Sequence, residues 1–315
     1  MTPGQGSTRG TDARGLLVVG DVVTDVVARY EAPLATGTDT AARIRIVPGG
    51  AGANVCCWAA ERGCEDVRLL ARTGAADVAW HAERLRSAGV RPLLVPDAEA
   101  PTATVIALVD RSAERTFLTD SGAVLRLSRT DWAPELLEGV GHLHLSGYLF
   151  FADSSAEAAH RAMRSARERG IPVSVDPASA GFIAERGPDR LLAALDGTDV
   201  LLPNADEARL LTGLPDPYEA AVRLSRTARL TVVTLGGQGA LVAESGRVTA
   251  RVPAVPARAV DSTGAGDAFT GAFLAARLRG ADATSAAREG CRAGARAVAV
   301  VGGRPGRAES VEPGG

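Results

Sequence analysis

The sequence predicts an α/β fold with a mostly parallel central sheet flanked by helices, and two observations support this class. From about residue 141, short apolar runs typical of buried strands alternate with helical patterns, from HLHLSG through PVSVDP to LTVVTLG. Such alternation is typical of right-handed β-α-β units. The 315 residues, of which 46% are hydrophobic, also suffice to bury one large core.

The first part of the chain adds further strands. Residues 16–20 have the pattern of a buried strand, because they form a short, nearly continuous apolar run. Shorter β-like segments are separated from it by polar or turn-forming stretches. They lie at residues 26–30, 44–47, 92–96, 103–109 and 115–118.

The basic residues exclude two classes of nucleotide site. All 35 of them are arginine, because no lysine occurs in the sequence. A P-loop needs a lysine that reaches the terminal phosphates, and protein-kinase-like sites need a strand lysine paired with a helix glutamate. Neither site can form here. No G-x-G-x-x-G occurs either, so the fingerprint of dinucleotide-binding dehydrogenases is absent.

The remaining composition predicts a cytoplasmic protein. A net charge of −2 argues against nucleic acid as a partner. No apolar run reaches the roughly 18 residues needed to cross a bilayer, and the start of the sequence has no hydrophobic signal core. The four cysteines form no C-x-x-C pair and are expected to be reduced thiols.

The most informative segment is DSTGAGD at residues 261–267, which opens an apolar helical run. Gly264 and Gly266 allow an anion to approach the backbone, and unpaired amides at a helix start bind anions. Asp267 lies in the first turn, where the helix dipole favours an ionised carboxylate beside a hydroxyl awaiting deprotonation. The segment predicts phosphoryl transfer to an alcohol. The alternative is an ordinary helix N-cap, since Asp, Ser and Thr all cap helices.

A second glycine cluster, GGAGAN at residues 49–54, also precedes an apolar helical stretch. In order and separation, the two clusters resemble the two signatures of the PfkB family of carbohydrate kinases, GG-x-G-x-N and D-x-x-G-A-G-D. Asn204 and Glu207 match the N-x-x-E motif of that family, and residues 232–239 are similar to its nucleotide-side strand and turn. The resemblance covers roughly residues 15–303 and implies a ribokinase-like fold with a small β-sheet lid.

The resemblance implies an ATP-dependent kinase that transfers phosphate to a hydroxyl, expected to be a primary one, of a sugar. Asp267 resembles the catalytic base, and Gly264, Ala265 and Gly266 would form the anion hole. A sugar or nucleotide sensor without turnover could keep the same glycine loops. The presence of Asp267 favours the enzyme, because a sensor has no need of a base.

The cofactors implied by the resemblance are ATP and Mg²⁺. Asn204 and Glu207 would organise Mg²⁺ through water, which suits a hard cation that keeps much of its hydration shell. Taken alone, the two residues also fit a helix start, with the asparagine as cap and the glutamate as its third-residue partner. The nucleotide would lie near Thr234, Gly236 and Gly239.

Two further residues match positions that hold a monovalent cation in many of these kinases. They are Asp261 and Thr263, together with carbonyl groups from residues 299–303. The resemblance therefore implies a K⁺ site beside the glycine loop.

The acceptor site is implied by Asp25, Gly50 and Asn54, which match sugar-binding positions of the family. The carboxylate of Asp25 would accept hydrogen bonds from vicinal hydroxyl groups. Val23 and Ala51 stand where ribokinases carry an asparagine and a lysine, so a ribose-specific pocket is disfavoured. A nucleoside kinase for adenosine or pseudouridine is the alternative, and a phosphosugar kinase is less favoured because it needs a basic cluster.

The resemblance also implies the domain organisation. Residues 15–303 would form one kinase domain, with a discontinuous lid at about 25–47 and 91–120 that keeps water from the phosphate. Residues 1–14 are expected to be a disordered tail and residues 304–315 a mobile, dispensable one. Lid sheets in this family can pair between subunits, so a homodimer is expected.

The histidines are expected to have no catalytic role. His142 and His144 alternate along one strand, but no third metal ligand lies nearby in the sequence, which favours a structural role. His81 and His160 lie on helical, charge-rich stretches and are expected at the surface.

Overall fold

The computed structural model describes residues 14–111 and 115–306. The tails were predicted at 1–14 and 304–315, and of these only residue 14 and residues 304–306 lie among the described residues. Strands alternate with helices along most of the described chain. The strands are β1 Gly15–Val19, β2 Val23–Tyr30, β3 Ala42–Gly49, β4 Val67–Gly74, β5 Val90–Asp97, β6 Ala103–Val109, β7 Arg115–Asp120, β8 Val140–Ser146, β9 Val173–Asp176, β10 Val200–Leu201, β11 Leu230–Thr234, β12 Ala240–Glu244 and β13 Arg247–Val252.

The large sheet contains nine of these strands, in the order β13-β12-β11-β10-β9-β8-β1-β4-β5. Its strands from β5 to β11 pair in parallel, and β12 and β13 are added as an antiparallel hairpin at one edge. The mostly parallel sheet predicted from the sequence is confirmed. In such sheets the loops that bind ligands lie at the carboxyl ends of the strands.

A second sheet contains the remaining four strands in the order β3-β2-β6-β7. It is discontinuous in sequence, as expected, because β2 and β3 come from residues 23–49 and β6 and β7 from residues 103–120. The expectation that this sheet also includes residues 91–97 was wrong. Strand β5 pairs with β4 in parallel at the edge of the large sheet, since its apolar residues contribute to the main core.

The helices cover both faces of the large sheet. Helices α1, α8 and α9 pack against one another on one face, and α3 to α7 bury their apolar residues on the other. Each layer buries the hydrophobic side of its helices against the sheet. The helices are α1 Ala51–Glu61, α2 Val78–Ser87, α3 Asp153–Glu168, α4 Ala180–Arg186, α5 Pro188–Ala194, α6 Ala205–Thr212, α7 Pro217–Leu224, α8 Ala265–Leu278 and α9 Ala283–Ala297.

Helix starts carry clear local signals. Asp216 caps α7 through the Tyr218 amide, and Pro217 fits the first turn because its missing N–H would have no partner there. Asp282 caps α9 by accepting from the Ser285 amide at 2.8 Å. None of the helices in the described part of the chain has the length and apolar character needed to cross a membrane.

Two buried histidines form a polar cluster within the large sheet. His142 Nε2 and His144 Nδ1 each lie 2.8 Å from Oγ of Ser174 on the neighbouring strand. Burial lowers the pKa of both imidazoles to about 3. This arrangement agrees with the structural role predicted for the pair.

His81 does not lie at the surface as expected. Its ring is fully buried, and Nε2 lies 3.1 Å from Oγ1 of Thr24 on β2. The prediction was wrong because a charge-rich helix can still turn one polar residue toward a partner on a neighbouring strand.

The histidine cluster predicts a pH-dependent contribution to stability. The unfolded chain binds protons at His144 below about pH 6.5, whereas the folded chain does not until about pH 3. Falling pH therefore favours unfolding, by up to about 1.4 kcal/mol per pH unit for each such histidine. Between about pH 7 and pH 5, wild type should lose more free energy of unfolding than His144→Gln in denaturant titrations. Equal pH dependence in the two proteins would contradict this account.

Candidate active site

Helices α1 and α8 begin at the same edge of the large sheet and face each other. Each follows a glycine with positive φ, 97° at Gly50 and 71° at Gly264, a conformation that residues with a side chain rarely adopt. The helices approach closely, because a β-carbon at Gly271 would lie 2.5 Å from the Val55 carbonyl oxygen. The structure therefore brings together the two glycine clusters predicted from the sequence.

The turn that opens α8 leaves its outer side accessible. A β-carbon at Gly266 would have no neighbouring atom within 4 Å, whereas one at Gly264 would lie 2.4 Å from the Cα atom of Gly303. The first amides of a helix have no partner within the helix and lie at the positive end of its dipole. An anionic group can thus approach the turn formed by Gly264, Ala265 and Gly266 from the open side.

Asp267 lies half-buried in the first turn of α8, and its Oδ2 accepts a 2.8 Å hydrogen bond from Nδ2 of Asn54 in α1. Burial raises the pKa of Asp267 well above its ordinary value. Asn54 lowers it, whereas the charges of Asp176, Asp21 and Asp25 raise it further. A carboxylate with a raised pKa accepts a proton more readily near neutral pH, so this position suits a general base.

Asp21, which the motifs did not single out, occupies the start of α1. Its carboxylate accepts hydrogen bonds from the amides of Ala51 (2.6 Å) and Gly52 (3.1 Å) and from Oγ of Ser146 (2.9 Å). The amides at the start of α1 are therefore held by a protein carboxylate and are not a second anion site. Gly50 fits closely here, because a β-carbon would lie 2.6 Å from the Asp21 carbonyl oxygen.

The acceptor residues expected from the sequence lie around this helix start. Asp25 on β2 lies against the last residue of β3, since a β-carbon at Gly49 would be 2.2 Å from its Oδ2. Burial raises the pKa of Asp25 to about 6, and the charge of Arg304 opposes the rise. Asp25, Gly50 and Asn54 are thus grouped on the side of Asp267 that faces the small sheet.

Asn204 and Glu207 form a capping box at the start of α6. The Glu207 amide donates to Asn204 Oδ1, and the Asn204 amide donates to Glu207 Oε2, each at 2.9 Å. This contact is the helix-start alternative described above. It leaves Glu207 Oε1 outside the capping box, so the capping contact and a role in cation binding are compatible.

The donor set around Glu207 suits a hydrated divalent cation. Burial raises the pKa of Glu207 to about 8, and the charge of Asp176 raises it as well. Asp176 itself, with a pKa raised to about 6 by burial, accepts from Oγ1 of Thr270. A cation between such carboxylates would relieve their repulsion. Within residues 14–111 and 115–306, no three acidic, histidine or cysteine side chains are arranged to hold a metal alone.

The residues expected near the nucleotide form the turn between β11 and β12. Thr234 ends β11 and forms an isolated bridge with Asn204, so a residue expected near the nucleotide lies next to one expected near the cation. Gly236 and Gly239 adopt positive φ values of 54° and 94°. A β-carbon at Gly239 would lie 2.0 Å from the Val252 carbonyl oxygen, so only glycine allows this turn.

The two residues expected at a monovalent-cation site contact the end of the described chain. The Asp261 carboxylate accepts from the amides of Thr263 (2.7 Å) and Gly302 (3.1 Å). The amides of Val260 and Asp261 also donate to the Val298 carbonyl oxygen, at 2.7 and 3.1 Å. These contacts place Asp261 beside Val298 and Gly302, next to the segment 299–303 whose carbonyl groups were expected here.

Two more residues near the site carried no sequence motif. Arg304, which falls in the segment expected to be a tail, donates to the Gly49 carbonyl oxygen and to Asn54 Oδ1. Tyr148 follows β8, packs edge to face on Phe151 and Phe182, and has its pKa raised by burial and by the nearby carboxylates. The only indications in the sequence were that Tyr148 follows the carboxyl end of a strand and that Arg304 follows a pair of glycines.

The comparisons with known proteins are consistent with this geometry. The chain is 32% identical to fructokinase-1 of Oryza sativa subsp. japonica, over 72% of each protein. It is 30% identical to 2-dehydro-3-deoxygluconokinase of Thermoproteus tenax, over 80% of each. The crystal structure of adenosine kinase from Sinorhizobium meliloti superposes with a TM-score of 0.83 at 22% identity, covering 92% of this chain and 95% of that one.

The structural similarity confirms the ribokinase-like α/β fold implied by the sequence motifs. Residues 13–309 match the family described as "pfkB family carbohydrate kinase", and this range includes every candidate residue discussed above. On this match and on the similarity to the rice and archaeal sugar kinases, the chain belongs to the pfkB family of carbohydrate kinases.

Proposed function

We propose that this protein transfers the terminal phosphoryl group of ATP to a hydroxyl of a sugar, with Asp267 as the general base. The observation that carries the proposal is the placement of the Asp267 carboxylate at the open turn of α8, hydrogen-bonded to Asn54 from the facing helix. One group thus lies where both an anion and an acceptor hydroxyl can approach. Among the described residues, no other carboxylate both lies at an open turn before a helix and accepts a hydrogen bond from the facing helix.

The turn of α8 would stabilise the transferring group. Phosphoryl transfer needs positioning and neutralisation of charge more than covalent chemistry from the protein. The amides from Gly264 to Asp267 lie at the positive end of the α8 dipole. They are open on the side of Gly266, because a β-carbon there would have no neighbouring atom within 4 Å. These fixed donors need no rearrangement as charge develops.

Asp267 would take the proton of the acceptor hydroxyl. Burial raises its pKa, which makes it a stronger base, while the hydrogen bond from the Asn54 amide favours the ionised form. We assign a primary hydroxyl as the nucleophile, because a CH₂OH group reaches a half-buried carboxylate with less crowding than a ring hydroxyl.

Mg²⁺ and ATP would lie on the other side of the turn. Asn204 and Glu207, with Asp176 beside them, would hold hydrated Mg²⁺, and Thr234, Gly236 and Gly239 would border the nucleotide. When bound, Mg²⁺ neutralises phosphate charge and aligns the phosphates. We also propose that Asp261 and Thr263 support a K⁺ site next to the α8 turn, since their contacts with residues 298–302 shape that turn.

The small sheet would act as a lid over the acceptor. Asp25 on β2 belongs to it, so closure of the sheet would both hold acceptor hydroxyls and exclude water. We propose that residues 15–303 act as one kinase domain with this lid. One lid face exposes Ile44 and Ile46, each 64% accessible, and Leu118, 54% accessible. Such an apolar face supports pairing of lids in a homodimer.

A nucleoside kinase is the second candidate, and the aromatic cluster at Tyr148 favours it. The rings of Tyr148, Phe151 and Phe182 pack together, and the charge of Asp267 raises the pKa of Tyr148. A flat ring near the acceptor side could stack on a nucleobase. A cytoplasmic location suits either candidate, because ATP is supplied there and all four cysteines are unpaired.

The proposed reaction is tested by ADP formation from Mg·ATP with a panel of acceptors. Fructose, ribose, 2-keto-3-deoxygluconate, adenosine and pseudouridine should be compared, each with and without K⁺. Turnover that depends on one acceptor identifies the substrate class. Mg·ATP binding without turnover on any acceptor would instead favour the sensor interpretation.

Asp267→Asn should lower kcat by roughly a hundredfold or more, because the amide cannot accept the proton of the hydroxyl. The affinity for Mg·ATP, measured by titration, should change little, since the turn amides remain. Asp189→Asn, the same substitution at an exposed site in α5, is the matched control and should retain activity. A nearly unchanged kcat in Asp267→Asn would exclude the residue as the base.

Asn54→Ala should move the acid limb of the kcat/KM profile to higher pH. The base acts when ionised, and Asn54 stabilises that form by donating to Oδ2. Its removal raises the pKa of Asp267, so a smaller fraction is active at a given pH below that value. Profiles of wild type and variant should be recorded with the thermal midpoint at each pH. A limb that stays in place or moves to lower pH would refute the coupling.

A further inference from the structure

Residues 298–304, called here the C-terminal segment, fold back over both glycine clusters. The Gly303 carbonyl oxygen accepts a 2.9 Å hydrogen bond from Nε1 of Trp58 in α1, and the Gly302 amide donates to Asp261. Gly303 also lies against Gly264, where a β-carbon would be 2.4 Å from its Cα atom. These contacts deliver the next residue, Arg304, to the acceptor side of the site.

Arg304 makes two hydrogen bonds and keeps one group free. Nη2 donates to the Gly49 carbonyl oxygen at 3.0 Å, and Nε donates to Asn54 Oδ1 at 3.4 Å. Nη1 is buried from solvent and has no hydrogen-bond partner within the described chain. A buried donor without a partner is costly. A ligand oxygen at Nη1 would remove that cost.

The contact with Asn54 also orients the amide. Because Nε of Arg304 can only donate, the side-chain atom of Asn54 that faces it must be the oxygen. The Asn54 NH₂ group is thereby turned toward Asp267 Oδ2, 2.8 Å away. Arg304 thus acts on the proposed base through one intermediate residue, in addition to any contact with an acceptor.

The guanidinium also lies beside Asp25. Both residues contact Gly49. Arg304 donates to the carbonyl oxygen of Gly49, and the Asp25 carboxylate occupies the space that a side chain at position 49 would need. The charge of Arg304 favours the ionised form of Asp25 against the effect of burial. The pair therefore presents a hydrogen-bond donor and an acceptor whose charges nearly cancel.

We propose that Arg304 is a specificity-determining residue of the acceptor site, selecting neutral polyhydroxylated acceptors over sugar acids and sugar phosphates. Nη1 donates to one acceptor oxygen, while Asp25 accepts from a neighbouring hydroxyl. A hydroxyl group can fill either role, whereas a carboxylate or phosphate can only accept. This inference rests on the proposed function, since it assumes that the acceptor lies between Asp25 and Asp267.

The charge of the site supports a neutral ligand. Asp21, Asp25 and Asp267 surround the acceptor position. The charge of Asp21 raises the pKa of Asp25, and the charges of Asp21 and Asp25 raise the pKa of Asp267. Arg304, which hydrogen-bonds to Gly49 and Asn54 beside these carboxylates, brings one positive charge to the site, and no lysine exists in the chain. An anionic acceptor would face more negative than positive charge, whereas a neutral polyol adds none.

The test is the substitution Arg304→Gln, with Arg247→Gln as the matched control. Arg247 is exposed at the start of β13, away from the site, where its backbone lies opposite Glu244 of β12. Initial rates should be measured with neutral acceptors (fructose, ribose, adenosine) and anionic ones (2-keto-3-deoxygluconate, ribose 5-phosphate). Thermal midpoints with each acceptor, and with Mg·ATP, report binding without turnover.

Wild type should act on and be stabilised by a neutral acceptor. Arg304→Gln should raise the KM for that acceptor by roughly tenfold or more, as expected when a hydrogen bond from a charged donor is lost. The KM for ATP should change less than about twofold, because the contact lies on the acceptor side. The variant should also lose the midpoint shift given by the acceptor, and Arg247→Gln should behave like wild type.

Four results would overturn the inference. Three are kinetic: a preference of wild type for the anionic acceptors, an unchanged acceptor KM in Arg304→Gln, and equal increases in the KM values for acceptor and ATP. The fourth is a wild-type midpoint that rises with Mg·ATP but with no neutral acceptor. Failure of the proposed function differs, since no acceptor, neutral or anionic, would then support ADP formation, whether or not Mg·ATP shifts the midpoint.

Discussion

The close approach of α1 and α8 is the constraint on which the site depends. Gly271 allows it, because any side chain there would collide with the backbone of α1 at Val55. Only at this separation can Asn54 donate to Asp267 across the helix pair. The same contact places Trp58 under the Gly303 carbonyl group, so the end of the described chain is held to the first helix. One helix pair thus joins the proposed acceptor side, the proposed base and the turn at the start of α8.

The second organising property is a cluster of buried acidic groups at one edge of the large sheet. Asp21, Asp25, Asp176, Glu207 and Asp267 all have pKa values raised, first of all by burial. Such clustering costs stability in the ligand-free protein and is typical of functional sites. It also makes the edge receptive to cations and to hydroxyl donors, which is what a kinase that binds a metal nucleotide and a polyol requires.

Much of this arrangement could be predicted from the sequence, because it follows local rules. Glycine clusters before apolar helices predict anion turns, and the order of strands and helices predicts a parallel sheet whose loops converge. Asp267 and Asn54 were therefore predictable as candidate site residues. Their mutual hydrogen bond was not, since it depends on the distance between two helices more than 200 residues apart in sequence.

The assignment of β5 to the large sheet and the burial of His81 likewise depend on tertiary packing. Arg304 follows a glycine pair in a polar segment, where composition predicts a tail and gives no indication of a contact.

Gly49 links parts of the molecule that would otherwise be independent. It is the last residue of β3, it lies against Asp25 on β2, and its carbonyl oxygen binds Arg304. The small sheet is therefore not a flap on a simple hinge. If it tilts away from the large sheet, β3 must either break the bond to Arg304 or pull the C-terminal segment with it. Opening would then withdraw the donor and the acceptor of the hydroxyl site in one movement, so that product affinity would fall in a single step.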